Sequence, residues 1–193
     1  MAFVIRSRGG ERPHLPEQLL DGVNTTIDLE MLTDPPRGRR TDMDMWDPGR
    51  EELCGYFIPD FQRPLVWTET QKERFIESAL LGLSLGTIVV VDAMNLPMQS
   101  PNRFARLDRV LLDGQQRLSA ITDYRNDRLV ALRGTECEHR WSDLSVVERR
   151  GVGRIQMGLI KIATDDETVA RAIYDRLNFG GTAHLESQRA SLA

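Results

Sequence analysis

Cysteine, lysine and long apolar runs are what this 193-residue chain has least of. Its two cysteines, Cys54 and Cys137, have no His or Cys near them at metal-ligand spacing, which excludes a zinc site of the usual kind. They read as thiols of a cytoplasmic protein; a disulfide is unforced. No apolar run approaches the roughly 20 residues of a membrane helix. The first residues, "MAFVIRSRGGERPHLPEQ", hold one short apolar patch and no secretory h-region. The expectation is therefore a cytoplasmic protein without a membrane span.

Of 25 basic residues only Lys72 and Lys161 are lysines; the rest are arginines. Arginine forks suit phosphates and carboxylates, although a genome rich in G and C would give the same bias. The formal net charge of -4 excludes a chain that binds nucleic acid by bulk attraction. With 40% hydrophobic residues the chain is long enough for one domain with its own core.

Residues 1–50 are rich in proline, glycine and charge and read as a loop-rich, loosely attached arm. A short helix fits "LPEQLLDGV". Residues 51–193 read as one domain. Thr68 and Gln71 form a capping-box pair before a helix with Phe75, Ile76, Ala79, Leu80 and Leu83 on one face. "TIVVVD" is a buried strand, "MNLPMQSPNRFA" a loop, and "LDRVLLD" (107–113) a central strand. It leads to a helix from Gln115 with Leu118, Ile121 and Tyr124 inward. "RLVALRG" reads as a short strand, "SDLSVVERRG" as a helix started by Ser142 or Asp143, and "RIQMGLIKIA" as a long strand. A last helix carries Thr164 and Glu167 as a capping box and Val169, Ile173 and Leu177 as its inner stripe. The order predicts one α/β or α+β domain with a mixed sheet.

Three stretches carry chemistry. "LLDGQQRL" is a strand, a glycine turn and a helix start, a form that seats phosphate when backbone N–H groups stay free. Gly114 lets a ligand approach, Gln115 and Gln116 offer amides, and Arg117 a positive fork. Asp113 can hold a cation, orient Arg117 or cap the helix. The Gly-Lys-Ser/Thr ending of a P-loop is missing. In "IPDFQRPLVW", Pro59 and Pro64 rule out a regular central strand, and Gln62 and Arg63 sit in an apolar frame. Arg63 either reaches a ligand or ties the segment to the core. In "LNFGG", Asn178, Gly180 and Gly181 are a helix cap or a further wall of the same site.

Together, "IPDFQRPLVW", "LGLSLGTIVVV", "LLDGQQRLSAI" and "IYDRLNFGGTAHL" resemble the N-terminal domain family of GmrSD-type modification-dependent restriction enzymes, over about residues 50–186. That family is distantly similar to ParB and sulfiredoxin. The resemblance implies a single ParB/sulfiredoxin-like domain that binds a nucleoside triphosphate with Mg²⁺ and hydrolyses it. In ParB and sulfiredoxin, a glycine-led turn ending in arginine cradles the phosphates. This role carries over onto Asp113, Gly114, Gln115, Gln116 and Arg117. The extended motif carries over onto Pro59, Gln62, Arg63 and Trp67, and the closing motif onto Asn178, Gly180 and Gly181. The His-Asn-His nuclease module of restriction members has no counterpart in the 15 residues after Asn178, so the expectation is a stand-alone domain.

The function expected is hydrolysis or transfer of a terminal phosphate in DNA restriction, phage defence or phage DNA modification. Arg63 and Arg117 would neutralise charge, backbone N–H groups at 114–117 would orient the phosphates, and Asp113 would contact Mg²⁺ or align water. Expected partners are the nucleotide, DNA (base-modified or not) and a separate nuclease or modification protein. The alternatives are a non-enzymatic nucleotide-dependent switch of ParB type that binds DNA or protein and, ranked last, a ParB-type nuclease.

Overall fold

The computed structural model describes residues 22–33, 51–92, 109–164 and 166–179. Their strands form one mixed sheet of six, with helices on both faces. The elements are β1 (Gly22–Asp28), α1 (Leu29–Thr33), β2 (Glu52–Leu53), β3 (Tyr56–Phe57), α2 (Glu69–Leu80), β4 (Thr87–Val91), β5 (Val110–Asp113), α3 (Gln115–Arg125), α4 (Val146–Gly153), β6 (Gln156–Ile162) and α5 (Glu167–Phe179). The sheet runs β1-β6-β4-β5-β3-β2. β4 lies parallel to β6 and antiparallel to β5, and β3 is parallel to β5. β4 and β5 thus hold the centre, and β5 leads directly into α3, as the apolar run up to Asp113 predicts.

Strand alternation sorts the core. Ile88, Val90, Leu111, Met157 and Leu159 turn to one face and pack with Leu32, Ile76, Leu118, Ile121 and Tyr124 of α1, α2 and α3. Val89, Val91, Val110, Leu112 and Ile162 turn to the other, against Ala170 and Ile173 of α5. A strand covered on both faces has no polar side to show, so β4 and β5 read as unbroken apolar runs. Thr68 and Gln71 close the expected capping box on α2. Lys72 ties α2 to α3, its Nζ donating to Asp123 Oδ2 at 2.6 Å and Ser119 Oγ at 2.9 Å.

The structure departs from the sequence reading in several places. Residues 22–33 are not a loose arm: β1 pairs with β6 along its whole length, and Leu29 and Leu32 are buried. The apolar signal is weak because β1 is an edge strand exposed from Val23 to Thr26, so few of its residues need be apolar. Gly22 and Val23 belong to β1 rather than to a helix over "LPEQLLDGV"; the rest of that helix and the loop "MNLPMQSPNRFA" lie outside the described residues. "RLVALRG" makes an isolated bridge, Ala131 to His139, and no strand. Ser145, not Ser142 or Asp143, caps α4, and Trp141–Asp143 form a 3-10 turn before it.

The inner stripes end early as well. Leu83 lies past the end of α2 and Leu177 on the last turn of α5, and both are exposed. On α5 the Asp166 carboxylate accepts from Thr168 N, while Thr164 Oγ1 accepts from Asp166 N, so Asp166 takes the place expected of Thr164.

Leu32 tests whether the segment before residue 50 belongs to the core. Leu32→Ala should cost about 2–5 kcal/mol in urea unfolding, the usual range for a fully buried leucine. A midpoint equal to wild type would return the segment to the periphery.

Candidate functional site

The turn between β5 and α3 is shaped by Gly114. Its φ is +110°, a conformation L side chains avoid, and a Cβ there would lie 2.4 Å from Ile88 Cγ2. Glycine is required twice, by the backbone and by the neighbouring strand. Gly114 also caps α3 without a side chain, so no side-chain bond covers the N–H groups of the first turn. A register shift between β4 and β5 opposes Val89 to Asp113 and Val90 to Leu111, placing a bulge where β5 ends.

Around this turn lies a partly open cleft of about 60 Å³, lined by Gln62, Arg63, Trp67, Gly114, Gln115, Gln116, Asp113, Arg117 and Asn178. The three stretches singled out in the sequence converge here from positions more than a hundred residues apart. Gly180 and Gly181 lie outside the described residues.

Arg117 is fixed from two sides. Its Nη2 donates to Thr87 O at 2.8 Å and to Asp113 Oδ2 at 2.7 Å. Asp113 therefore orients Arg117, one of the three roles the sequence left open. Of the residues lining the cleft only Asp113 is a carboxylate, and among the described residues no group of three or more His, Cys, Asp or Glu could hold a metal ion. The described residues form no cation cage here. A Mg²⁺ ion would take most of its ligands from the phosphates it arrived with.

Gln116 was expected to offer its amide to a ligand; it is committed to the protein instead. Its Oε1 accepts from Val66 N at 3.0 Å and Trp67 N at 3.1 Å, and its Nε2 donates to Pro64 O at 3.2 Å. The proline-rich segment cannot join the sheet, and this buried amide takes the place of a neighbouring strand. Gln62 does the same on a smaller scale. β3 pairs with β5 at one position, and Gln62 Nε2 then donates to Leu111 O at 3.3 Å.

Arg63 stands apart. Its backbone N donates to Tyr174 Oη at 3.0 Å, so its stem is anchored to α5. Its guanidinium has no partner among the described residues and is exposed. The ion-pair role considered from the sequence is not the one this structure shows. Trp67 packs at 5.6 Å from the Phe75 ring, and Asn178 Nδ2 donates to Tyr174 O at 3.0 Å while lining the cleft. Sequence reading missed Thr87, Ile88 and Tyr174. Tyr174 was within reach, one helical turn before Asn178 in a motif already marked; Thr87 acts through its carbonyl, which no side-chain pattern reports.

Among the described residues, two polar atoms in the cleft walls are buried without a partner, Gln115 Oε1 and Arg117 Nε. A buried orphan of this kind costs about 1–3 kcal/mol. With two guanidinium groups and an uncapped helix start, the arrangement can bind an anion. The dipole adds about 0.3–1 kcal/mol.

Residues 47–188 match the family described as the GmrSD restriction endonuclease, N-terminal domain. An uncharacterised protein of Methanocaldococcus jannaschii is 36% identical over a segment covering 33% of this chain and 13% of that protein. The match thus spans only a small part of that relative's length. No solved structure matches the chain.

Gly114 and Gly82 make a matched test of the turn. Gly82 also has positive φ, +74°, but open space where a Cβ would go. Gly82→Ala should cost about 1 kcal/mol, the strain of left-handed backbone alone. Gly114→Ala should cost distinctly more in the same denaturant titration, because strain and clash add. Equal losses would mean that β4 yields to the added methyl.

Proposed function

Because the chain belongs to the family of GmrSD restriction endonuclease N-terminal domains, we propose that its cleft seats a nucleoside triphosphate with Mg²⁺ and that the domain cleaves off the terminal phosphate within a DNA-restriction or phage-defence system. The observation that carries this reading is the convergence of Arg63, Arg117 and the uncapped start of α3 on one cleft. Phosphoryl transfer asks for positioned charge more than for a strong nucleophile. Arg117, held by Asp113 and Thr87, supplies a fixed charge. Arg63, anchored only at its backbone, supplies one that can follow the ligand. The first-turn N–H groups supply oriented donors for phosphate oxygens. Asp113 would give at most one ligand to the metal. The likeness to ParB and sulfiredoxin read from the sequence supports the same use of the turn. DNA, base-modified or not, and a separate nuclease are the partners such a system requires. Among the described residues no helix is long and apolar enough to cross a membrane.

The two arginines separate binding from folding. Each charge-assisted bond to phosphate contributes on the order of 1.5–3 kcal/mol, or roughly ten- to a hundredfold in affinity. Arg63→Ala should lose that affinity for ATP, GTP, CTP or UTP with Mg²⁺ and leave the melting temperature unchanged. Arg117→Ala should lose affinity and also melt lower, because it removes the link between β4 and the turn. Calorimetric titration beside melting curves measures both. Absence of binding to all four nucleotides by the wild-type chain, with and without modified DNA, would dismiss the reading.

A further inference from the structure

Among the described residues β1 pairs with β6 alone, and its other edge carries no strand. The strand is long for an edge, seven residues, whereas β2 at the opposite end of the sheet has two. A free edge offers a row of N–H and C=O groups to any other strand, and proteins guard it with lysine, proline, a bulge or an inward charge. GVNTTID has no lysine, no proline and no charge before Asp28, and it follows β6 without a register shift. Nothing in it is set against pairing.

The side chains say which partner fits. Val23, Thr25 and Ile27 oppose Lys161, Leu159 and Met157 and so share the face of α1, α2 and α3. Ile27 packs on the core there, but Val23 is 57% exposed. From Val23 to Ile27 the order is apolar, polar, Thr25, polar, apolar, the same read from either end. A twofold axis through Thr25, perpendicular to the sheet, therefore sets Val23 against Ile27 of a second copy, Asn24 against Thr26, Thr25 against Thr25 and Gly22 against Asp28. Such an axis preserves each face, so the pairing can slip only by two residues. A slip either way sets Thr25 against Val23 or Ile27 and leaves two residues of each strand unpaired. Only the centred register pairs the whole strand, covers the exposed valine with an isoleucine and keeps the two Asp28 carboxylates at opposite ends.

We infer that β1 is a dimerisation edge, at which two copies of this chain join their sheets antiparallel about Thr25. A strand made to receive a foreign peptide has no need to be complementary to itself. The pairing does not depend on the triphosphate reading, but it bears on the cleft. Thr26 opposes Gly158, Gly158 opposes Thr87, and the Thr87 carbonyl holds Arg117. The dimer thus carries both clefts on one continuous sheet, with β6 and β1 between each cleft and the axis.

A one-strand interface lies at the low end of specific contacts, under about 1,200 Å² in total, so the copies should exchange and the mass should depend on concentration. Sedimentation of the full chain from low to high micromolar concentration should move from the mass of one copy, 22.0 kDa, toward twice that. Thr25→Lys and Thr25→Glu each set like charges face to face across the axis, and each alone should weaken the dimer by about tenfold or more. The two variants mixed should dimerise at least as well as wild type, because only the centred register brings position 25 against itself. Thr25 is exposed, so both variants should melt with wild type when dilute. A wild-type chain that keeps the mass of one copy throughout would overturn the inference. So would variants that still dimerise alone, or a mixture that does not pair. Unfolding of both variants would overturn it too, since the chain itself would then be covering this edge.

Discussion

The cleft depends on one buried amide. Residues 59–67 contain two prolines and cannot extend the sheet, yet their backbone polar groups still need partners. Gln116 supplies three bonds to Pro64, Val66 and Trp67 from the first turn of α3. That clamp brings the segment against the helix start. It fixes Trp67 at the head of α2, where Thr68 begins the cap, and sets Arg63 at the mouth of the cleft. Tyr174 completes the arrangement from α5 by accepting Arg63 N. Without Gln116 the arginine would have no reason to lie near the turn.

The other constraint is the crowding of β4 against the turn. Ile88 leaves no room for a Cβ at position 114, and Thr87 O receives Arg117. The same strand therefore excludes a side chain from the turn and points a guanidinium along it. A rigid turn on a central strand suits a site that must present donors at fixed positions, because nothing in it has to be ordered when an anion arrives. Arg63 is the contrasting element. Its main chain is bonded and its side chain has no partner among the described residues, so whatever ordering binding requires falls on that one side chain and not on the scaffold.

Much of this was legible. A continuous apolar run ending in Asp-Gly gives a central strand and a tight turn, and the spacing after it gives a helix with Leu118, Ile121 and Tyr124 inward; all three are buried. What escaped has physical reasons. β1 needs few apolar residues because only one of its edges is paired. Leu83 and Leu177 follow helical spacing but sit where the helix no longer faces the sheet. Asp113 and Arg117 are four residues apart across a strand end and a turn, so their ion pair does not follow from helical periodicity alone. The cleft was readable as three segments; that one segment is clamped by a glutamine from another was not, since a glutamine's partners leave no trace in its own neighbourhood.

The pair Gln115 and Gln116 shows why. In sequence they are indistinguishable, two amides at a helix start. On a helix, consecutive residues point about 100° apart, and that angle decides everything about them. One side chain meets a backbone with both donors and acceptors to satisfy and bonds it from both ends of its amide. The other, equally buried, lines the cleft, and its oxygen has no partner among the described residues. Burial alone would class both as structural. Hydrogen-bond accounting separates them: the satisfied glutamine holds the fold, and the unsatisfied one is a stability cost the fold carries with no return from its own contacts.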